Sequence, residues 1–197
     1  MFRKCSSLIT PPRLPSVNLG FRCYGLMFQN CTSLTKAPYL PATTLAESCY
    51  YSMFSGCTSL TKAPDLPATT LAERCYYSMF YNCKSLTKAP ELTATTLAEY
   101  CYYSMFENSS VEEADIMATK FLPNTASYMF ENCTSLKSVK VRLTEWTNPT
   151  SSSTNTNGSY RWLIGVSSTG TFYCPPELDI SFRSGNTIPP GWDVVRI

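Results

Sequence analysis

A fixed internal repeat constrains this chain more than any other feature of its sequence. Met-Phe recurs at residues 1, 27, 53, 79, 105 and 129, so repeats start 26 residues apart except for a last interval of 24. Residues 27–52, 53–78 and 79–104 are near copies of one unit, MF-x-[NG]-C-x-SLTKAP-x-L-x-ATTLAE-x-CYYS. A period of about 20 to 50 residues is typical of solenoids, in which each repeat buries its apolar face against its neighbours.

The second half of each unit carries the pattern of a short helix. Thr44 and Glu47 form a capping box, in which both side chains satisfy free N–H groups at a helix start. Leu45, Cys49 and Met53 then recur at i, i+4 and i+8, which predicts one buried helical face of about three turns. The same box returns in the next two copies, at Thr70/Glu73 and Thr96/Glu99.

A turn and a strand are predicted to follow this helix. The residue before each next cysteine position is always Asn or Gly, the residues that best tolerate the left-handed conformation after a helix: Asn30, Gly56, Asn82, Asn108 and Asn132. Residues 57–63 are then expected to be extended until Pro64, which lacks the N–H that a sheet ladder needs. We expect strands from successive units to form one parallel sheet at about 4.8 Å spacing, with the helices on the other face.

The C-terminal part departs from the repeat, as terminal repeats usually do. In the fifth unit Ser109 replaces the cysteine and one residue is missing before Val111, whereas residues 139–141 of the sixth unit alternate like a regular strand. Residues 147–159 are predicted to be an exposed loop, 160–166 a short helix, and 169–174 and 192–197 two closing strands. We therefore predict an α/β solenoid over residues 1–146 and a capping segment over residues 147–197.

These residues resemble the BspA-like leucine-rich repeats of bacterial cell-surface proteins of the Bacteroides type. The family pattern C-x-x-L-x-x-[VI]-x-[IVL] is matched by Cys133, Leu136, Val139 and Val141, and residues 170–175, GTFYCP, resemble a closing segment of such proteins. In the middle units the last apolar residue falls one place late, with a proline before it. The resemblance implies a right-handed leucine-rich-repeat solenoid of about six strand–helix turns, secretion or surface anchoring, and adhesion without a common ligand, cofactor or catalytic motif.

Charge and hydropathy exclude some partners. The 16 basic and 14 acidic residues give a net charge of only +2, which does not supply the basic field that nucleic-acid binding needs. No run of 18 or more apolar residues is present, so no transmembrane segment is predicted. The N-terminus carries no signal peptide, but its Met-Phe is in phase with the later pairs, and we expect the natural sequence to begin further upstream.

The ten cysteines are interpreted as structural. Nine of them occupy two repeat positions, Cys5, 31, 57, 83 and 133 in one column and Cys23, 49, 75 and 101 in the other, whereas Cys174 stands alone. A zinc site is not expected because the chain has no His and no Cys-x-x-Cys. Disulfides within a column remain open, but stacked Cβ atoms about 5 Å apart fit a bridge poorly, so buried free thiols are favoured.

Catalysis is not expected. Without His, and without a G-x-S-x-G or a glycine-rich phosphate loop, nucleophilic and phosphoryl-transfer sites lack their usual parts. Asp65 and Glu91 occupy equivalent positions one repeat apart, so a glycosidase-like carboxylate pair is the remaining enzymatic hypothesis. A solenoid surface does not provide the burial that tunes a general acid, which makes this hypothesis the weakest.

The positions that vary between near copies indicate where a ligand could bind. One column holds Arg13, Tyr39, Asp65 and Glu91, beside a row formed by Lys36, Lys62 and Lys88; a second column holds Ser48, Arg74 and Tyr100. The possible ligand face therefore comprises Lys36, Tyr39, Lys62, Asp65, Lys88 and Glu91, although a solvated surface with local charge balance explains the same residues. In the tyrosine pairs at 50/51, 76/77 and 102/103, one ring is expected in the core and the other in an exposed stripe.

The leading hypothesis is a non-catalytic cell-surface or secreted module that recognises a host or bacterial surface protein or glycan. A structural spacer within a larger surface protein is the alternative, and a carbohydrate-active hydrolase the third.

Overall fold

A computed structural model describes residues 2–153 and 155–197 of the chain. Met1, the first residue of the repeat pattern, and Thr154, within the predicted polar loop, lie outside the described residues. Four strands are present: β1 (Glu113–Ile116), β2 (Ser138–Val141), β3 (Gly170–Cys174) and β4 (Trp192–Arg196). They form one parallel sheet in the order β1-β2-β3-β4, which confirms the parallel stacking and the two predicted closing strands.

The strands form where alternation of apolar residues is regular. In β2, Val139 and Val141 are fully buried and the intervening Lys140 is half-buried, the pattern of a strand with one face on a core. β1 lies beside it with Ala114 opposite Val139 and Ile116 opposite Val141, so that one face of the sheet is continuous and apolar. The regular strand predicted at residues 139–141 is therefore confirmed.

The near-identical repeats pair through isolated bridges instead of full strands. Lys36 pairs with Lys62 in parallel register, and Lys88 pairs with Glu113. Four residues further along, Leu92 pairs with Ile116, so five residues of the proline-containing repeat oppose four of β1. This is a bulge at Pro90-Glu91, and it is expected there because proline cannot donate to the ladder. It also explains why the last apolar residue of each middle unit falls one place late.

The predicted helices are not confirmed, because no helix occurs in the described part of the chain. The parts of each repeat that were predicted to be helical are successions of tight turns, and the same structure recurs near the C-terminus. These are called the turn segments: residues 21–30, 47–56, 73–82, 99–108, 123–132 and 158–165. Their backbone bonds alternate. The Cys49 N–H donates to the Ala46 carbonyl of its own repeat, at 3.2 Å, and the next N–H, of Tyr50, donates to the Cys75 carbonyl of the following repeat, at 3.1 Å. Lateral bonds between repeats thus take the place of the i to i−4 bonds of a helix.

Backbone dihedrals explain why these segments differ from a helix. Every fourth residue has a left-handed φ, as at Ser48 (56°), Ser52 (48°) and Gly56 (74°), which an α-helix does not accommodate. A period of four residues gives apolar spacings that a helix also gives, so the pattern of Leu45, Cys49 and Met53 did not distinguish the two. Thr44, assigned to a capping box, pairs with Thr70 in a bridge instead. The left-handed conformation predicted at the Asn/Gly positions is confirmed, with φ of 59, 74, 56, 59 and 59° from Asn30 to Asn132.

Stacked aromatic rings fill the core between the turn segments and the strand side. One phenylalanine per repeat forms a continuous column in which neighbouring ring centroids are 5.4 to 5.8 Å apart and nearly parallel: Phe2, 28, 54, 80, 106 and 130. Tyr24, Tyr50, Tyr76 and Tyr102 form a second, parallel column. Because each repeat contributes the same side chain at the same place, the core is an array of like-on-like contacts.

The C-terminal segment extends the solenoid and then closes its end. Residues 158–165 form the last turn segment, where a short helix was predicted at residues 160–166. The Phe130 N–H of the preceding segment donates to the Trp162 carbonyl in it. The N–H groups on its outer side are satisfied by the Gly185 carbonyl and the Asn186 Oδ1 atom. Within residues 147–159, most described residues are exposed or half-buried, but residues 157–159 are buried under this end. No described helix is long and apolar enough to cross a membrane.

Candidate functional site

A shallow groove crosses the outer surface of the sheet side. It consists of two cavities of about 400 and 450 Å³ that share Lys88, Ala89, Pro90 and Glu91. The first lies between the third and fourth repeats and is lined by residues 61–67, 88–91 and 93. The second continues over β1 and β2 to Tyr173 and Ile197. The groove thus runs from the copied repeats onto the regular strands.

The floor of the groove is apolar and rigid. Ala63 and Ala89 are buried, and Pro64 lies between Ala63 and the exposed Asp65. Alanine leaves no side chain to fill the space above it, and proline fixes its own φ, so this part of the surface stays open. The concavity is therefore a consequence of the Ala-Pro pair that each copied repeat carries.

Charged side chains stand on both sides of this floor. Lys62 and Lys88 precede the Ala-Pro pairs and Asp65 and Glu91 follow them, and all four residues are exposed. The bulge leaves Glu91 without a direct partner in β1, which is how a bulge redirects a side chain. No salt bridge involves any of these four within residues 2–153 and 155–197, so the local charge balance expected from sequence does not take the form of fixed ion pairs.

The six sequence-predicted ligand residues are only partly brought together. Lys62, Asp65, Lys88 and Glu91 line the groove, whereas Lys36 and Tyr39 do not. Lys36 is exposed and in register with Lys62, and Tyr39 is 71% exposed on the second repeat. The hydrolase hypothesis gains no support, because Asp65 and Glu91 are both exposed, without the burial typical of a carboxylic general acid.

Sequence reasoning missed the part of the groove that lies on the terminal strands. Glu113, Asp115, Lys140 and Tyr173 line it, although none of them belongs to a copied repeat. Asp115 also accepts a hydrogen bond from Arg142, at 3.3 Å. The alternation in β2 already placed Lys140 on the face opposite Val139 and Val141, so that residue could have been found. The others depend on register between strands of dissimilar sequence.

A second polar and aromatic surface runs along the turn segments. Tyr51, Tyr77 and Tyr103 are half-buried and stacked on one another, whereas their neighbours in the chain, Tyr50, Tyr76 and Tyr102, are buried. The predicted core position of one ring in each pair is confirmed, whereas the other ring is half-buried and not fully exposed as predicted. In the adjoining column, the Arg74 guanidinium lies over the ring of Tyr100, 4.5 Å from its centroid.

All ten cysteines are free thiols, in agreement with the preference derived from their spacing. The Cys57 Sγ–H donates to the carbonyl of Phe28 in the preceding repeat, and the equivalent cysteines repeat this bond to Phe2, Phe54 and Phe106. Each of Phe28, Phe54 and Phe106 also accepts an N–H from its own repeat, so both lone pairs of its oxygen are used. Burial raises the pKa of Cys57 to about 12, and these thiols are protonated at neutral pH.

No cluster of three or more His, Cys, Asp or Glu side chains suited to a metal ion occurs among the residues described. The remaining buried cysteines behave like Cys57: burial raises the pKa of Cys49 to about 12 and of Cys133 to about 11. A raised thiol pKa opposes formation of the thiolate that reacts or binds metal. The cysteine columns therefore serve packing and hydrogen bonding.

Comparison with known proteins identifies the repeat. The family model of the BspA-type leucine-rich repeat region matches in six copies, over residues 1–137 and 76–156. No curated protein and no solved structure matches the chain significantly. The matched range covers most of the chain and includes β1, β2 and the turn segments up to residue 132. The chain therefore belongs to the BspA-type leucine-rich repeat family.

Proposed function

We propose that this chain is a non-catalytic recognition module of a cell-surface or secreted protein, and that it binds a surface protein or glycan in the groove. The observation that carries the proposal is the coincidence of the groove with sequence variation. Asp65 and Glu91, which differ between otherwise copied repeats, both line it. Residues that vary within a conserved scaffold are free to determine specificity, as they are on the concave faces of other repeat proteins.

The chemistry of the groove suits a ligand that offers both donors and acceptors. In the first cavity Lys62 and Lys88 are balanced by Asp65 and Glu91, so a polyanion gains no net attraction there. In the second cavity the carboxylates of Glu91, Glu113 and Asp115 exceed the two lysines. A neutral glycan or a protein segment of mixed charge can hydrogen-bond to both kinds of side chain without a large electrostatic penalty.

The test is a binding screen with matched variants. The chain, immobilised through one terminus, is exposed to an array of neutral and acidic glycans and to a panel of host matrix proteins. For a ligand that binds, the Asp65→Asn/Glu91→Gln double variant is expected to weaken affinity by at least about tenfold, roughly 1.4 kcal/mol. Glu177→Gln, at an exposed site outside the groove, is the control and should leave affinity unchanged.

Two results would contradict the proposal. Binding that is indifferent to both groove substitutions would place recognition elsewhere on the chain. A screen with no ligand in either array would favour the second candidate, a structural spacer. That candidate is supported by the uninterrupted aromatic column from Phe2 to Phe130, which suits a stiff rod that holds other domains apart.

A further inference from the structure

The three half-buried tyrosines of the turn segments form the closest aromatic stack in the molecule. The ring centroids of Tyr51 and Tyr77 are 5.0 Å apart with an interplanar angle of 20°, and those of Tyr77 and Tyr103 are 4.7 Å apart at 10°. In the buried column the corresponding distances, Tyr50 to Tyr76 and Tyr76 to Tyr102, are 5.9 and 6.4 Å. Like rings are thus held face to face, close together and partly open to solvent.

The backbone fixes this stack. Tyr51 and Tyr77 accept lateral N–H bonds from Leu26 and Ser52, and Tyr103 accepts one from Ser78, all at 2.8 Å. The same bonds set the backbone distance between repeats, so the side chains of Tyr51, Tyr77 and Tyr103 start from neighbouring, evenly spaced positions. Holding two reactive groups at this distance replaces a collision between molecules by a reaction within one molecule, with a large gain in effective concentration.

We propose that Tyr51, Tyr77 and Tyr103 are an oxidative cross-linking site, at which a peroxidase with hydrogen peroxide joins neighbouring repeats through dityrosine. Each of two tyrosines loses one electron from its phenol and one proton to water, giving two phenoxyl radicals. The radicals couple through the ring carbons ortho to oxygen, and the two ring hydrogens at the new bond shift to restore both phenols. The two electrons and two protons reduce one hydrogen peroxide to two waters, so the reaction balances without another reagent.

The other tyrosines are poorly placed for this reaction. Tyr50, Tyr76 and Tyr102 are buried, away from an oxidant in solution. Tyr128 meets Tyr103 edge-on, at 61°, and Tyr160 meets Tyr128 at 84°, so their ortho carbons do not face one another. Tyr39 is exposed but isolated from other rings, and it can couple only between molecules. Tyr100 also meets Tyr103, but at a wider spacing and a steeper tilt, 5.8 Å and 48°. Within one chain the reaction is therefore expected at the face-to-face pairs 51/77 and 77/103.

The experiment oxidises the dilute monomer in a Cys5→Ser/Tyr39→Phe background. These changes remove an exposed thiol that would quench radicals and the tyrosine expected to couple between molecules. Dityrosine fluorescence is measured on the monomer band after denaturing electrophoresis, and the joined peptides are identified by mass spectrometry. The expected products are 51–77 and 77–103 peptide pairs that have lost two hydrogen atoms.

Tyr77→Phe is the decisive variant because it retains the stacked ring and removes the phenol common to both pairs. It should reduce monomer dityrosine by at least about tenfold. Tyr50→Phe is the matched control, since the buried Tyr50 hydroxyl has no hydrogen-bond partner in the structure, and it should leave the yield unchanged. Undiminished fluorescence in the Tyr77→Phe monomer, or cross-links found only in dimers, would overturn the proposal. Both variants are first compared with the parent by circular dichroism.

Discussion

The copied region, residues 27–104, and the terminal region, residues 105–197, build the same solenoid by different means. In the copied region, rings stack face to face, and the strand side pairs through isolated bridges around proline. In the terminal region, four regular strands form and Trp162 meets Phe121, Trp146 and Phe172 nearly edge-on. Identical repeats place like side chains face to face. The terminal region keeps one such pair, Phe106 and Phe130, but its divergent residues also permit the edge-to-face contacts that aromatic quadrupoles prefer.

The difference also shapes the second cavity of the groove. That cavity lies where bulged repeats meet regular strands, and five residues of the copied region oppose four of the terminal region there. A chain built only from copied units, or only from regular strands, would lack this step. The following predictions test the comparison, beginning with the largest expected effect.

Truncating the phenylalanine column should be the most damaging change. Phe80 is fully buried between Phe54 and Phe106, and Phe80→Ala should lower the free energy of unfolding by about 3–5 kcal/mol through lost burial and an unfilled cavity. Urea denaturation followed by fluorescence measures this. Phe2→Ala, at the half-buried end of the column, is the control and should cost clearly less. Equal losses would show that the column does not act as a continuous core.

Replacing a glycine that has a left-handed φ should destabilise the protein equally in the two regions. Gly56 and Gly165 have φ of 74 and 72°, and an added Cβ would lie 2.1 Å from Asn30 Oδ1 and 2.4 Å from Asn132 Oδ1 respectively. Gly56→Ala and Gly165→Ala should each destabilise by about 1–3 kcal/mol, because φ is strained and an asparagine must move. Thermal denaturation of the two variants checks this. A neutral Gly165→Ala would mean that the last turn segment is not equivalent to the copied ones.

Alkaline pH should destabilise the copied region through its buried thiols. Burial raises the pKa of Cys57 to about 12 from the ordinary thiol value of 9.0, so the folded state keeps its proton after the unfolded state has lost it. The stabilisation is therefore complete below pH 9.0 and is lost as pH rises toward about 12, by at most about 1.4 kcal/mol per pH unit for each thiol. Denaturation of the protein and of Cys57→Ser from pH 8 to about 11 measures the slope.

Serine is the appropriate replacement at this position. Ser109 occupies it naturally in the fifth repeat and is buried there. The Cys57→Ser variant should show a shallower loss of stability with pH. A slope identical to that of the parent would show that this thiol does not titrate differently in the folded and unfolded states.

Removing the bulge should give the fourth repeat a regular strand like those of the terminal region. Deletion of Pro90 shortens Lys88–Leu92 to the four residues that β1 offers, and it should allow a regular strand with little change in global stability, within about 1 kcal/mol. Amide hydrogen exchange at residues 88–92 should slow, and ligand binding in the groove should weaken. Unchanged exchange would contradict the assignment of the bulge to proline.

The smallest effect is expected for the ion pair beside the groove. Arg142 and Asp115 lie 3.3 Å apart and both side chains are partly exposed, so Arg142→Gln should cost no more than about 1 kcal/mol. The loss should diminish further at high salt, which screens such pairs. A larger, salt-independent loss in denaturation would indicate that this pair orders β1 and β2.

Much of this fold could be predicted from the sequence, because the repeat dictates it. The period, the parallel stacking, the strands near residues 139–141, 170–174 and 192–196, and the left-handed Asn/Gly positions all follow from local pattern. The turn segments could not be predicted, and helices were expected in their place. The lateral bond from the Tyr50 N–H to the Cys75 carbonyl joins residues in different repeats, and periodicity within one repeat does not reveal it.

The candidate site could be predicted only where it lies on the copied repeats. Lys62, Asp65, Lys88 and Glu91 could be aligned by counting along identical repeats. Glu113 and Asp115 could not, because their place depends on the one-residue change of register between Lys88–Glu113 and Leu92–Ile116. Tyr173 could not either, because its place depends on the pairing of β3 with β2, where it lies opposite Lys140. Lys36 and Tyr39 were included by repeat equivalence alone, and the groove begins one repeat later.

The central claim is that lateral hydrogen bonds between tight turns, not helices, hold the repeats in the register that forms the groove. Backbone chemical shifts of the isotope-labelled protein over residues 47–56 and 73–82 test it most directly. The account predicts an interrupted pattern, with left-handed values at Ser48, Ser52 and Gly56 and at Arg74, Ser78 and Asn82. A continuous run of helical shifts across either segment would contradict it.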